Sequence, residues 1–225
     1  MDRHPVVVLD VNETLSDMSP LGERFAEVGA PAHLASLWFA TVLRDGFALA
    51  ASGTQQPFAA VAEADLRLAL APHDLDRPLP DAVEHVLAGL HALTVHDDVP
   101  AGLRTLRSAG LRVVTLSNGA ASVADRLLAD AGVRDLVERT LSVQDAGVWK
   151  PAADAYAYAA EVCGVDVADL VLVAVHPWDV AGAVRAGAAG AWVNRSGSEY
   201  PQVFAAPTVS GRSLPEVADA VAARS

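Results

Sequence analysis

Short apolar runs at Val6–Leu9, Leu111–Leu116, Leu170–Val175 and Ala191–Val193, with a weaker one near Arg139–Val143, have the length and composition of buried strands. Between them the apolar spacing becomes helical. Ser122–Ala131 puts Val123, Leu127, Leu128 and Ala131 on one face, and Ala153–Cys163 and Ala181–Ala188 are alanine-rich segments of helical length. Such strands, alternating with helices, predict an α/β fold, a Rossmann-like doubly wound parallel sheet covered on both faces.

The first two strand runs are separated by roughly a hundred residues of different character. Leu21–Val28, Ala32–Ala51, Phe58–Leu70 and Asp81–Leu93 all read as helices, divided by Gly29-Ala30-Pro31, Ser52-Gly53, Pro57, Pro72 and Pro78/Pro80. The expectation is an all-helical cap at residues 16–97 inserted after strand one, and a core built from residues 1–15 and 98–225. The tail from Ser196 is loop-rich, with a short helical pattern at Leu214–Ala223.

A 52% hydrophobic content with 5% aromatic residues indicates an ordered chain packed through Ala, Val and Leu. A formal net charge of −12 disfavours nucleic acid and anionic membranes as partners, since phosphates are repelled. The one cysteine, Cys163, has no nearby Cys or His in sequence and reads as a buried structural thiol. No run approaches the ~18 apolar residues of a membrane span, and the strand pattern begins within four residues of Met1, so a cytoplasmic location is expected.

In a doubly wound sheet, ligands bind beyond the carboxyl ends of the strands. Four polar sites follow strand runs: Asp10, Ser117-Asn118-Gly119, Lys150 within Gly147-Val148-Trp149-Lys150-Pro151, and His176-Pro177-Trp178-Asp179. A single strand-end aspartate is most often a cap or a turn former. Four such sites together favour a nucleophilic Asp10. Two residues later, where paired-aspartate phosphoryl chemistry carries an acid, the chain has Asn12. Lys150 is the one lysine among sixteen basic residues. Codon bias with one survivor is the plain account. The functional one is that a compact ammonium fits between two carboxylates where a planar guanidinium does not, and keeps Asp10 ionised.

The ordered set Asp10…Thr14, Ser117-Asn118, Lys150-Pro151 and Asp179 resembles the haloacid dehalogenase superfamily over nearly the whole chain. The cap insertion, Leu37-Trp38, Leu116-Ser117-Asn118-Gly119, Tyr156 and Trp178-Asp179 look most like the L-2-haloacid dehalogenases. The resemblance implies that Asp10 attacks C2 of a small 2-halogenated carboxylate, displacing halide with inversion, and that water then hydrolyses the aspartyl ester. Halide needs no proton on departure, which suits Asn12. No cofactor or metal is expected: phosphatases of this superfamily commonly place a second acid where this chain has Val175, and Lys150 supplies the positive charge instead. Glu13 reads as a solvent-facing turn residue.

The resemblance also assigns roles. Ser117 and Asn118 donate to the nucleophile, the substrate carboxylate or the halide, unless they form an ordinary turn. Thr14 orients Asp10 or caps the next segment, and Tyr156 seats Lys150 or the carboxylate, or merely packs. Asp179 holds Lys150 and positions the hydrolytic water, or caps the helix after Pro177. Asn12 and Phe39 fall among the substrate-binding positions. Three residues depart from the pattern: Phe39 stands for an anion-binding arginine, and Ala174 and His176 stand for a serine and an asparagine that position water. His176 is read as a replacement base or a loop hydrogen-bonder, and Arg44 is turned about 140° from Phe39's face at 3.6 residues per turn. Relatives are often homodimers, so Trp38–Ala51 is read as either interface or core. A magnesium-dependent phosphatase and a decayed ligand-binding protein on the same fold are the alternative readings.

Overall fold

The computed structural model describes residues 5–224 and divides into two compact units, one comprising residues up to Ser16 together with Thr94 onward, the other Asp17–Leu93. The ends of the expected core, residues 1–4 and 225, lie outside the described residues. The second boundary falls at Thr94 rather than 98 because the crossings between the units are tied together. Ser16 and Val95 form an antiparallel bridge, and His96 N–H donates to Leu15 O at 2.9 Å.

In the first unit, β1 (Val6–Leu9), β2 (Arg112–Ser117), β3 (Arg139–Ser142), β4 (Leu170–Ala174), β5 (Ala189–Val193) and β6 (Val209–Gly211) form a sheet of order β3-β2-β1-β4-β5-β6, parallel throughout. β1 is buried at every position, since a central strand covered on both faces has no place for a polar side chain. Alternation sends Val7 and Leu9 to one side. There they join Val113, Val173, Ala191 and Val193 in a core with apolar residues of α5 (Val99–Ser108), α6 (Ala121–Asp130) and α10 (Leu214–Ala222). On the opposite side α9 (Pro177–Ala186) packs on β4 and β5, and α8 (Ala153–Cys163) packs on α9. The four-residue α7 (Val143–Ala146) follows β3 directly.

Neighbouring β1 and β4 leave the sheet in opposite directions of winding, which makes their carboxyl ends the switch point where such folds bind ligands. Asp10 and His176 stand just past those two ends.

The second unit holds α1 (Leu21–Ala26), α2 (Leu34–Ala51), α3 (Phe58–Leu70) and α4 (Leu79–His91). By length and composition α2 could cross a membrane. Its buried residues include Trp38, Phe39 and Val42, and Trp38 Nε1 donates to Ala62 O of α3 at 2.9 Å. Cys163 is buried and unbridged.

Three elements escape the periodicity reading, the single-turn α7 among them. Pro100 and Gly102 disguise α5, although proline is compatible with a first turn and Val99, Leu103 and Leu106 form its buried stripe. β6 is a three-residue edge strand, too short to show a period. Likewise α9 starts at Pro177 rather than at Ala181, and α4 starts before Pro80.

α9 approaches α8 closely because Gly182 has no side chain. A Cβ there would lie 2.6 Å from Pro151 Cβ and 2.6 Å from the Tyr156 hydroxyl. Gly182→Ala is expected to destabilise the chain by about 1–3 kcal/mol through overpacking, seen as a melting point lower by several degrees. An unchanged melting curve would contradict the close approach of α9 to Tyr156.

Candidate active site

Asp10 continues the sheet by one residue, its N–H donating to Val173 O at 3.0 Å, and then the chain turns. That turn brings Thr14 back over the strand end. Thr14 Oγ1 donates to Asp10 Oδ2 at 2.6 Å and accepts from Val175 N–H at 3.1 Å. Thr14 therefore orients Asp10 and couples the loops after β1 and β4.

The other carboxylate oxygen faces a cation. Lys150 Nζ donates to Asp10 Oδ1 at 2.7 Å and to Asp179 Oδ2 at 2.6 Å, and Lys150 and Asp179 are both wholly buried. Asp179 is held in turn by the Tyr156 hydroxyl, 2.7 Å from Oδ1. It holds Lys150 as expected, but it does not cap α9, whose first turn takes no side-chain bond from it. Tyr156 seats Asp179 rather than Lys150, and its burial against that carboxylate pushes its phenol well above the usual range. Tyr156 thus positions Asp179 through its hydroxyl.

Burial by itself would raise the Asp10 carboxyl. The Lys150 ammonium, His176 and the bonds from Lys150 and Thr14 outweigh it and hold Asp10 below the ordinary aspartate range. Burial and the neighbouring Asp10 charge push Asp179 upward, against Lys150 and Tyr156. The two carboxylates raise Lys150 above its ordinary value against the cost of burial. The result is an Asp10 carboxylate kept ionised although buried.

The loop after β2 positions the cation as well. Asn118 Oδ1 accepts from Lys150 N–H at 3.0 Å, directly before the cis Lys150–Pro151 bond, so its carbonyl is committed to the lysine backbone and its amide remains the donor. Ser117 Oγ accepts from Gly119 N–H at 2.9 Å, the turn that the plain reading expects, and its hydroxyl hydrogen remains a donor. Ser142 Oγ, donating to Gly119 O at 2.8 Å, steadies the same loop and was not anticipated.

His176 lies beside Asp10 but not as a base through Nε2. That nitrogen is 3.2 Å from Asn12 O, 3.6 Å from Glu13 Oε2 and 3.7 Å from Asp10 Oδ2. A ring nitrogen surrounded by carbonyl and carboxylate oxygens is an N–H donor. The ring is stacked on Trp178 at 5.0 Å. Asn12 contributes its carbonyl to this contact. Glu13, expected to face solvent, is only half-exposed and turned toward His176.

Arg195 was also missed. It follows β5, where the strand-end rule points, and donates to Thr14 O at 2.9 Å and to Asp98 Oδ2 at 2.7 Å, anchoring the turn that carries Thr14. Phe39 belongs to the helical unit, where its ring lies 6.4 Å from Phe58. Arg44 is paired with the adjacent Asp45 at 2.6 and 3.0 Å.

A parallel sheet of this order, with a buried aspartate at its switch point paired to a buried lysine, defines the class as an α/β enzyme of the hydrolase kind. The chain belongs to the haloacid dehalogenase-like hydrolases, whose family model matches residues 4–187. An (S)-2-haloacid dehalogenase of Pseudomonas sp. (strain YL) is 32% identical over 127 residues, 56% of this chain and 55% of that enzyme. The matches to the first such relatives thus span about half their length. An (S)-2-haloacid dehalogenase of Xanthobacter autotrophicus is 30% identical over 211 residues, covering 93% of this chain and 81% of that one. Among solved structures, the L-2-haloacid dehalogenase from Xanthobacter autotrophicus with chloropropionic acid covalently bound superposes with a TM-score of 0.85 at 26% identity, covering 96% of this chain and 98% of that chain.

Removing the cation alone would leave two buried carboxylates unpaired. Lys150→Met is expected to lose about 3–5 kcal/mol of stability near neutral pH. Without the ammonium both carboxyls shift up in the folded state, above their unfolded value near 3.8. The folded protein then binds protons that the unfolded chain does not, so the deficit narrows as pH falls toward that value. Chemical denaturation at several pH values measures it. A deficit that widens on acidification would contradict the assignment of charge.

Proposed function

We propose that this chain hydrolyses the carbon–halogen bond of small 2-haloalkanoic acids through an Asp10 ester, without a metal ion. The observation that carries this reading is a nucleophilic carboxylate held by Lys150 and Thr14 with no acid two residues on. A carboxylate oxygen attacks C2 from the side opposite the halogen. The C–O bond forms as the carbon–halogen bond breaks, halide leaves with the bonding pair, and the configuration inverts. Because halide is stable as an anion, the absence of an acid at Asn12 costs nothing in this step. Water then adds to the aspartyl carboxyl carbon and releases a 2-hydroxy acid. The covalent chloropropionate adduct of the Xanthobacter relative supports the same intermediate here.

The fold family includes magnesium enzymes, and the residues present here do not fit that ion. The oxygens that would face it are taken by Lys150 Nζ on Asp10 and Asp179 and by His176 Nε2 on the Asn12 carbonyl, while position 175 is valine. Among the described residues no group of three or more His, Cys, Asp or Glu side chains forms a metal cluster. The Lys150 ammonium and the His176 ring occupy these positions instead.

Incubation with 2-chloropropionate and with bromoacetate, with and without chelator, is expected to release halide at equal rates in both conditions. Asp10→Asn should abolish release. Lys150→Arg should fold yet lose most turnover, because a guanidinium cannot occupy the gap between Asp10 and Asp179. Release that survives Asp10→Asn, or that requires magnesium, would refute the reading, and magnesium-dependent cleavage of an aryl phosphate would replace it.

A further inference from the structure

The turn that carries Thr14 is held from outside by its backbone carbonyls. Glu13 O accepts from His96 Nε2 at 3.0 Å, Thr14 O from Arg195 Nη2 at 2.9 Å and Leu15 O from His96 N–H at 2.9 Å, so successive carbonyls are taken by residues remote in sequence. The turn needs such support, because Glu13 has φ +60°, a left-handed conformation uncommon for a residue other than glycine. A backbone of this kind persists only where its surroundings over-determine it.

Arg195 forgoes a better ion pair to reach Thr14. Its Nη1 donates to Asp98 Oδ2 at 2.7 Å, and Leu214 N–H donates to the same oxygen at 2.8 Å. A guanidinium and a carboxylate meet most favourably through two parallel bonds. Here Asp98 Oδ1 and Arg195 Nε are buried and have no hydrogen-bond partner among the described residues, while Nη2 is turned to the Thr14 carbonyl. Asp98 also stands at the N-cap of α5 without capping it. Local bonds that would stabilise the fold are thus given up for a contact with the loop of Asp10. Burial by itself would raise the Asp98 carboxyl, but the bonds from Arg195 and Leu214 and the charges of Arg195 and His96 hold it below the ordinary aspartate range, as an ionised partner for the arginine.

We propose that Arg195, held by Asp98, is a positioning residue for the ester-forming step, and that it acts through Thr14 rather than on the substrate. This rests on the dehalogenase reading. In that step an Asp10 oxygen bonds C2 as the halide leaves from the opposite side, so the carboxylate must point in one direction. Thr14 Oγ1 supplies that direction by donating to Asp10 Oδ2 at 2.6 Å. Its hydroxyl stays in place only while its backbone does, and Arg195 holds that backbone at the carbonyl of the same residue. The link runs from Asp98 at the start of α5, through the loop after β5, to the turn after β1.

Arg195→Gln and Asp98→Asn test the assignment, with Thr14→Val as the reference. With enzyme in excess over bromoacetate, halide release reports ester formation alone. Arg195→Gln is expected to slow the saturating rate by about tenfold or more. The half-saturating concentration should stay at the parent's value, because ground-state binding is untouched. Asp98→Asn keeps an acceptor for Leu214 N–H but removes the charge that holds Arg195, and it should slow the same rate; it decides the matter if Arg195→Gln does not fold. In a Thr14→Val background, Arg195→Gln should have almost no further effect, since both substitutions break one link. A parental rate in the folded variants, a raised half-saturating concentration at parental rate, or an effect of Arg195→Gln that persists in full beside Thr14→Val overturns the inference and leaves the dehalogenase reading standing. Absence of halide release by the parent overturns both.

Discussion

One ammonium between two carboxylates organises this site. Lys150 Nζ lies 2.7 Å from Asp10 and 2.6 Å from Asp179, and the lysine has no exposed surface. A charge so deeply buried is tolerated only when it is paired and its hydrogen bonds are met. Much of the surrounding structure meets that demand: Asn118 holds the lysine backbone, Tyr156 holds Asp179 and Thr14 holds Asp10. These side chains arrive from four connections of the sheet, so the group ties together the loops after β1, β2 and β3 and the start of α9.

The same arrangement selects the chemistry. Two carboxylates share one cation, and Asp10 is additionally favoured by Thr14 and His176, so Asp10 stays ionised while Asp179 is pushed the other way. An ionised carboxylate that is buried is a better nucleophile toward carbon than one in water, because little solvent must be displaced from it. His176 extends the pattern on the opposite oxygen of Asp10, with Glu13 as its outer carboxylate. His176, one of the residues that depart from the expected dehalogenase pattern, thus makes a second contact of its own beside Asp10.

How much of this was legible in the chain depended on the range of the interaction responsible. The central strands, the cap helices and α8 could be read because burial imposes a local apolar period. β6 and the start of α9 could not, one being a three-residue edge and the other opening with a proline that reads as a breaker. Asp10, Lys150 and Asp179 were nameable because strand ends in a doubly wound sheet face a common crevice, and because a single lysine among arginines invites a reason. Arg195 also follows a strand, yet its carbonyl partner at Thr14 lies far away in the sequence and leaves no side-chain signature.

The sequence alone determined the fold class and pointed to Asp10 and to the cation that holds it, since these follow from local periodicity and from residue types at strand ends. The tertiary structure decided what each neighbour does: Tyr156 serves Asp179, Asn118 serves the lysine backbone, and His176 presents an N–H rather than a lone pair to Asn12, Glu13 and Asp10. These are questions of distance and direction between residues remote in sequence. Residue type states which bonds a side chain can make, and only the packed chain decides which of them it does make.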